Sequence, residues 1–235
     1  DEAKELLDEI RKAVKESEDR LEKLLRDYEK ELRRLEKELR DLKRRIEEKL
    51  EELRRGSLDA KELLKTLEDL LREVLEVARR VVETLKELNR RVLEVVREDI
   101  ERNERLLRRV LDTLRRGGVD ERRIKDLERL IRESLKKAEE VLREAAEKSR
   151  EIVDEIREVL KRADEALKRI IKKIRETRGA DARDHMVLHE YVNAAGITRV
   201  LKELIDKSRK VIEELLELLK RINEENLKVL AEIIK

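Results

Sequence analysis

The sequence predicts an all-α protein: an antiparallel, up-down-up-down bundle of four long helices with a left-handed supercoil. Three observations lead there. The composition is almost entirely helix-forming, the helix-breaking residues cluster at three spaced positions, and the apolar residues between the breaks recur in heptads.

Composition comes first. Of 235 residues, 52% are charged and 39% hydrophobic, and Pro, Cys, Trp and Phe are absent. Leu, Glu, Lys and Arg are strong helix formers, and a chain rich in them with helical periodicity reads as a coiled coil or long-helix bundle. Such charge density without apolar register would indicate disorder, but here the register is kept.

The breaks are Gly56-Ser57-Leu58-Asp59, Gly117-Gly118-Val119-Asp120 and Gly179-Ala180-Asp181. Each follows basic residues (Arg54-Arg55, Arg115-Arg116, Arg175 and Arg178) that complement a helix C-terminus. Glycine supplies a left-handed exit, and the Asp that follows can cap the next helix. Asp59 with Glu62 has capping-box spacing. The expected helices span about 1–55, 59–116, 120–178 and 181–235 of one single bundle, about 55–59 residues each. Short connections make neighbours antiparallel. Leu58 with Leu63, and Val119 with Ile124, are spaced as hydrophobic staples. The fourth helix has Ala180 and His185 instead, so its start is expected to be the least protected.

The seams follow steps of three and four. In the first helix they run Leu7, Ile10, Val14, Ser17, Leu21, Leu24, Tyr28, Leu35, Leu42 and Ile46. In the third they include Ile124, Leu127, Ile131, Ser134, Ala138, Ala145, Ser149, Ile152, Ile156, Val159, Ala163, Ile170 and Ile174. A sustained seven-residue repeat imposes a left-handed supercoil. Polar residues recur on the seams: Ser17, Asn103, Ser134, Ser149, Ser208, Asn223 and Asn226. Either each sits at a seam margin and reaches water, or they form buried hydrogen-bond networks that fix register. Asn103, between Ile100 and Leu107, is the strongest candidate for the second reading. Idealised helices, minimal loops and near-equal lengths indicate design rather than natural history.

One segment breaks this uniformity: Arg183, Asp184, His185, Met186, Val187, Leu188, His189, Glu190, Tyr191, Val192, Asn193, Ala194, Ala195, Gly196, Ile197 and Thr198. It holds both histidines of the chain, the only Met, and the only Gly outside the breaks. Gly196, the β-branched residues, His and Asn together cost a helix on the order of 5 kcal/mol against Ala. As a strand, Met186, Leu188, Glu190, Val192 and Ala194 share one face. As a helix, Val187, Tyr191, Ala194, Thr198, Leu201 and Ile205 continue the heptad into Ser208 and Ile212, with His185, His189, Asn193 and Gly196 toward solvent. Conflict between local preference and global fold marks function.

These sixteen residues resemble the eleventh, last β-strand of green fluorescent protein, in the form used as the small fragment of split fluorescent reporters. The natural strand has Leu, Phe and Thr at His189, Tyr191 and Asn193, all on the face that the barrel turns outward. The resemblance implies that Glu190, Met186, Leu188 and Val192 point into the barrel, Glu190 hydrogen-bonding near the chromophore. The remaining helices resemble designed latch-and-key cages, in which a terminal helix carrying a functional peptide is displaced by a key peptide.

The expected function is therefore a designed binding protein, not an enzyme. It holds the strand in helical form and releases it to the complementary ten-strand fragment when a key helix displaces the fourth helix. The alternative is a bundle carrying the strand as a passive tag. No cofactor is expected. His185, His189 and Asp184 could attract a metal ion adventitiously. With 62 basic and 60 acidic residues, and 18 against 19 over residues 1–55, there is no basic stripe for nucleic acid. No apolar run is long enough for a membrane span and no targeting segment is visible, compatible with a soluble, cytoplasmically expressed chain.

Overall fold

A computed structural model describes residues 2–55, 60–176 and 185–234. Four α-helices account for them: α1 (Glu2–Arg54), α2 (Ala60–Arg116), α3 (Glu121–Glu176) and α4 (His185–Ile234). The protein is an all-α four-helix bundle, with helix limits within a few residues of those expected. The breaks at 56–59 and 177–184, with the Asp59–Glu62 capping box and the Leu58 and Ala180 staple positions, lie outside the described residues.

The helices pack as two compact units, and each unit takes a piece of every helix. One comprises Asp1–Tyr28, Leu88–Ser149 and Lys210–Lys235; the other comprises Glu29–Glu87 and Arg150–Arg209. In the first unit, Leu7, Ile10, Val14, Val110, Leu114, Leu127, Ile131 and Leu230 share one apolar core. Next to Ser17, Asn103, Ser134 and Asn223 line a common cavity. Residue number therefore rises along α1 and α3 where it falls along α2 and α4, which makes neighbours antiparallel. In the second unit, Arg80 binds Glu38 at 3.0 Å, and Arg45 binds Glu73, so α1 and α2 run oppositely. Arg169–Glu190 at 2.9 Å and Lys207–Glu155 at 3.7 Å show the same for α3 and α4.

The α2–α3 connection shows how the breaks work. Gly118 has φ +73°, the left-handed conformation that only glycine adopts without steric cost. Val119 N–H donates to the Leu114 carbonyl and Gly118 N–H to that of Arg115, both at 3.3 Å. That is the Schellman pattern, and it satisfies carbonyls the helix end would leave orphaned. Asp120 then caps α3, its carboxylate accepting from Arg122 N–H at 3.3 Å. Val119 packs on the core that holds Leu114 and Ile124, as a staple should.

Most seam residues are buried as expected. Leu7, Ile10, Val14, Ser17, Tyr28, Leu35, Leu42 and Ile46 line the interior of α1, while Leu21 and Leu24 are half-buried. Leu32 and Leu39 are buried beside them, so the apolar stripe is wider than a two-position heptad seam. Burial of Ile174 lies outside the described residues.

Candidate functional site

The site expected at Arg183–Thr198 falls at the start of α4. Arg183 and Asp184 lie outside the described residues. From His185 onward the backbone is α-helical without interruption to Ile234; the side chains of His185, Met186 and Val187 are not described.

Tyr191, Ala194, Thr198, Leu201 and Ile205 are all buried, so the heptad continues through the segment. His189 is exposed, as expected; Asn193 and Gly196 are half-buried rather than solvent-facing. Their partial cover reflects a buried face wider than one seam, since Glu190, Ala195 and Ile197 are also inside.

Each buried polar side chain among the described residues of the segment finds a partner. The Glu190 carboxylate, 2% exposed, accepts a fork from Arg169 of α3: Nε at 2.9 Å and Nη2 at 3.3 Å. That hydrogen bond and the charge of Glu190 raise the Arg169 guanidinium above its ordinary value, against the lowering effect of burial. The Tyr191 hydroxyl donates to the Leu63 carbonyl of α2 at 2.7 Å. Burial, assisted by the negative charge of Glu52, pushes the Tyr191 phenol up and keeps it neutral. Thr198 Oγ1 donates to the Ala195 carbonyl of its own helix at 2.7 Å.

Further along α4, Arg209 gathers three carboxylates. Its Nε meets Glu29 of α1 at 2.6 Å, its Nη1 meets Asp206 at 2.8 Å, and its Nη2 meets Glu36 of α1. Burial acts to lower the guanidinium, but the hydrogen bonds to Glu36 and Glu29 outweigh it and raise it. Within this unit α4 is thus tied to α3 by Glu190, to α2 by Tyr191 and to α1 by Arg209.

Two residues of the segment fit the helix poorly. Val192 is 49% exposed, an apolar side chain turned outward. Gly196 lies mid-helix, where a Cβ would meet nothing within 4 Å. No close approach or left-handed φ requires glycine there, yet glycine costs about 1 kcal/mol relative to Ala. The helix also separates residues that a strand would hold on one face, burying Glu190 and exposing Val192.

Among the described residues, no group of three or more His, Cys, Asp or Glu is placed to hold a metal ion. No described helix is long and apolar enough to cross a membrane. Among the seam polar residues, one pair supports the network reading and one residue fits neither. Asn103 Nδ2 donates to Asn223 Oδ1 at 3.2 Å, joining α2 to α4. Ser149 is buried with its hydroxyl unpartnered. Sequence reasoning missed Asn89, which accepts from the Tyr28 hydroxyl at 3.2 Å, and buried Asp99. The signal was available: Leu85, Asn89, Val92, Val96, Asp99 and Asn103 are spaced 4, 3, 4, 3, 4.

No known protein family matches the sequence, and no curated protein matches it.

Proposed function

We propose that this chain is a designed cage. Its fourth helix holds a split green fluorescent protein strand, residues 183–198, as α-helix, and displacement of that helix delivers the strand to the complementary ten-strand fragment. The observation that carries the reading is the mismatch at Gly196 and Val192 within a segment whose buried polar groups are nonetheless all satisfied. A helix optimised for itself would not carry Gly196, and Val192 adds an exposed large apolar side chain of a kind shown elsewhere among the described residues at Leu130 and Leu218. A helix made to accept a foreign sequence would carry both, together with supplied partners such as Arg169.

Sequestration follows from geometry. Addition to a barrel needs an extended chain of about 3.3 Å per residue, with backbone groups free to pair along its edges. In a helix the same groups bond within the segment, and the rise is about 1.5 Å. The two states exclude each other. The resemblance adds a second exclusion: Glu190, expected to turn inward in the barrel, is held here by Arg169.

The test mixes the chain with the ten-strand fragment, with and without a peptide matching residues 199–235, and follows fluorescence. Slow complementation alone and fast complementation with the peptide are expected, because a competing helix offsets the exposed seam. Equal rate and extent for the chain, the chain with peptide and a free 183–198 peptide would make the segment a passive tag.

A further inference from the structure

In the first unit a small chamber is lined by a polar group from every helix: Ser17 of α1, Asp99 and Asn103 of α2, Ser134 of α3, and Asn223 and Asn226 of α4. Its volume is about 30 Å³. Asp99 is 6% exposed, and neither carboxylate oxygen has a hydrogen-bond partner among the described residues. The other buried carboxylate, Glu190, is forked by Arg169. In a chain with 62 Lys and Arg, supplying a cation to Asp99 would have been easy, and none is bonded to it.

We infer that this chamber is a binding site for one hard monovalent cation such as sodium, at most partly hydrated, with Asp99 as the charged ligand. Three features select that ligand. Every polar atom type available is a hard oxygen donor or an amide nitrogen, and neither thiolate nor imidazole lines the chamber, which favours hard cations. A single carboxylate neutralises one positive charge; a divalent ion would leave net charge in an interior where uncompensated charge is costly. The volume is two to three times the roughly 10–15 Å³ that one water needs, so it holds one ion with at most a water or two of its shell. The Asn103–Asn223 hydrogen bond leaves one amide oxygen of the pair unused, whichever of the two donates. That oxygen, Asn226 and the Ser17 and Ser134 hydroxyls complete the donors.

Sodium-23 NMR relaxation with the full chain reads the site directly. Excess line broadening at millimolar sodium is expected, reversed by added lithium or potassium only in proportion to their competition, and lost in Asp99→Asn. Urea unfolding in sodium chloride against choline chloride at equal ionic strength gives the thermodynamic counterpart. At sodium ten times its dissociation constant the unfolding equilibrium constant should fall roughly tenfold relative to choline, because the ion binds only the folded chamber. The exposed-site control Asp112→Asn should behave as the parent does. A chamber holding only water would give superimposable curves in sodium and choline and no excess broadening. Either result would overturn the inference, as would an equal sodium effect in Asp99→Asn or a larger stabilisation by calcium. Should Asp99→Asn not fold, the broadening and its competition in the unaltered chain still decide.

Discussion

The two halves of α4 are packed to different standards. In the second unit, residues 188–209 bury Glu190, Tyr191, Ala194, Ala195, Ile197, Thr198, Leu201, Leu204, Ile205 and Ser208. In the first unit, Ile212, Leu215 and Leu219 are buried, but between Leu219 and Glu232 only Leu230 is. Ile222, Asn226, Val229 and Leu230 instead border a cleft of about 100 Å³ with Leu130 and Ile131 of α3. Both halves bury four Leu or Ile side chains among the described residues, so the half bearing residues 188–198 is the better held through Tyr191, Ala194 and Ala195 and through its polar contacts. Poor intrinsic helix propensity there is offset by tertiary burial and by the Arg169, Leu63 and Arg209 contacts. Propensity alone would have ranked the halves the other way.

The largest effect that can break this contrast is at Ile205, which is fully buried. Ile205→Ala removes apolar contacts and leaves a cavity, costing about 2–5 kcal/mol. Leu227→Ala, at a half-buried site, should cost under about 1 kcal/mol, in line with its partial burial. Urea midpoints measure both, and hydrogen exchange should be slower at 194–208 than at 222–232 in the unaltered chain. Equal costs, or reversed protection, would mean that the burial difference does not govern stability.

Second in size is Arg169→Met. The substitution leaves the Glu190 carboxylate buried without its fork. Removing one partner of a fully buried pair costs about 3–5 kcal/mol. Arg169 is itself 44% exposed, so solvent screening reduces the expectation to about 1–3 kcal/mol. Complementation should accelerate correspondingly. Arg169→Lys should recover only part of the loss, because an ammonium cannot form the fork. Unchanged urea midpoints and rates in Arg169→Met would show that Glu190 is satisfied in some other way.

How much of this was legible beforehand depends on the range of the signal. Helix limits were, because glycine exits, Asp caps and basic ends are local; Gly118 and Asp120 behave as their residue types demand. The heptad through Tyr191 to Ile205 was also legible, since periodicity needs no partner. Burial of Glu190 was not. Its tolerance of the interior depends on Arg169, 21 residues away on another helix, and nothing in the sequence distinguishes Arg169 from the many other arginines. Arg209 is the same case, with Glu29 and Glu36 more than 170 positions away. Asp99 lay in plain heptad register, but a carboxylate amid so many surface carboxylates is readily assigned to the solvent face.

Tyr191→Phe is a smaller probe. It removes a donor to the Leu63 carbonyl, a group near the start of α2, and should cost about 1 kcal/mol. Its pH dependence separates it from a packing change. The folded phenol is raised above the unfolded value of about 10, so its neutral form favours the folded state. The stabilisation is fully present below pH 10. It is lost as pH rises above that value, where the unfolded chain ionises first. The parent should therefore lose stability above pH 10 more steeply than Tyr191→Phe; parallel profiles would place the phenol in water.

The smallest expected effect bears most directly on the proposed origin of the segment. Gly196→Ala should stabilise α4 by about 0.5–1 kcal/mol, by restricting the unfolded chain and improving helix propensity. Such a gain requires that the native backbone accept a Cβ. It does: φ at Gly196 is not positive, and a Cβ there meets nothing within 4 Å. The same substitution at Gly118 should destabilise, because φ there is +73°. The pair thus distinguishes a glycine kept for the fold from one kept for something else. If α4 is a cage, Gly196→Ala should also slow complementation about two- to fivefold, since that free energy adds to the cost of opening. The free 183–198 peptide carrying the change supplies the control: it has no helix to open, so it shows any direct effect of the alanine on strand insertion. Stabilisation without slower complementation, once that control is subtracted, would mean that opening of α4 does not limit access to the strand. Destabilisation would mean that Gly196 serves the bundle after all, and the strongest sign of a borrowed sequence would be gone.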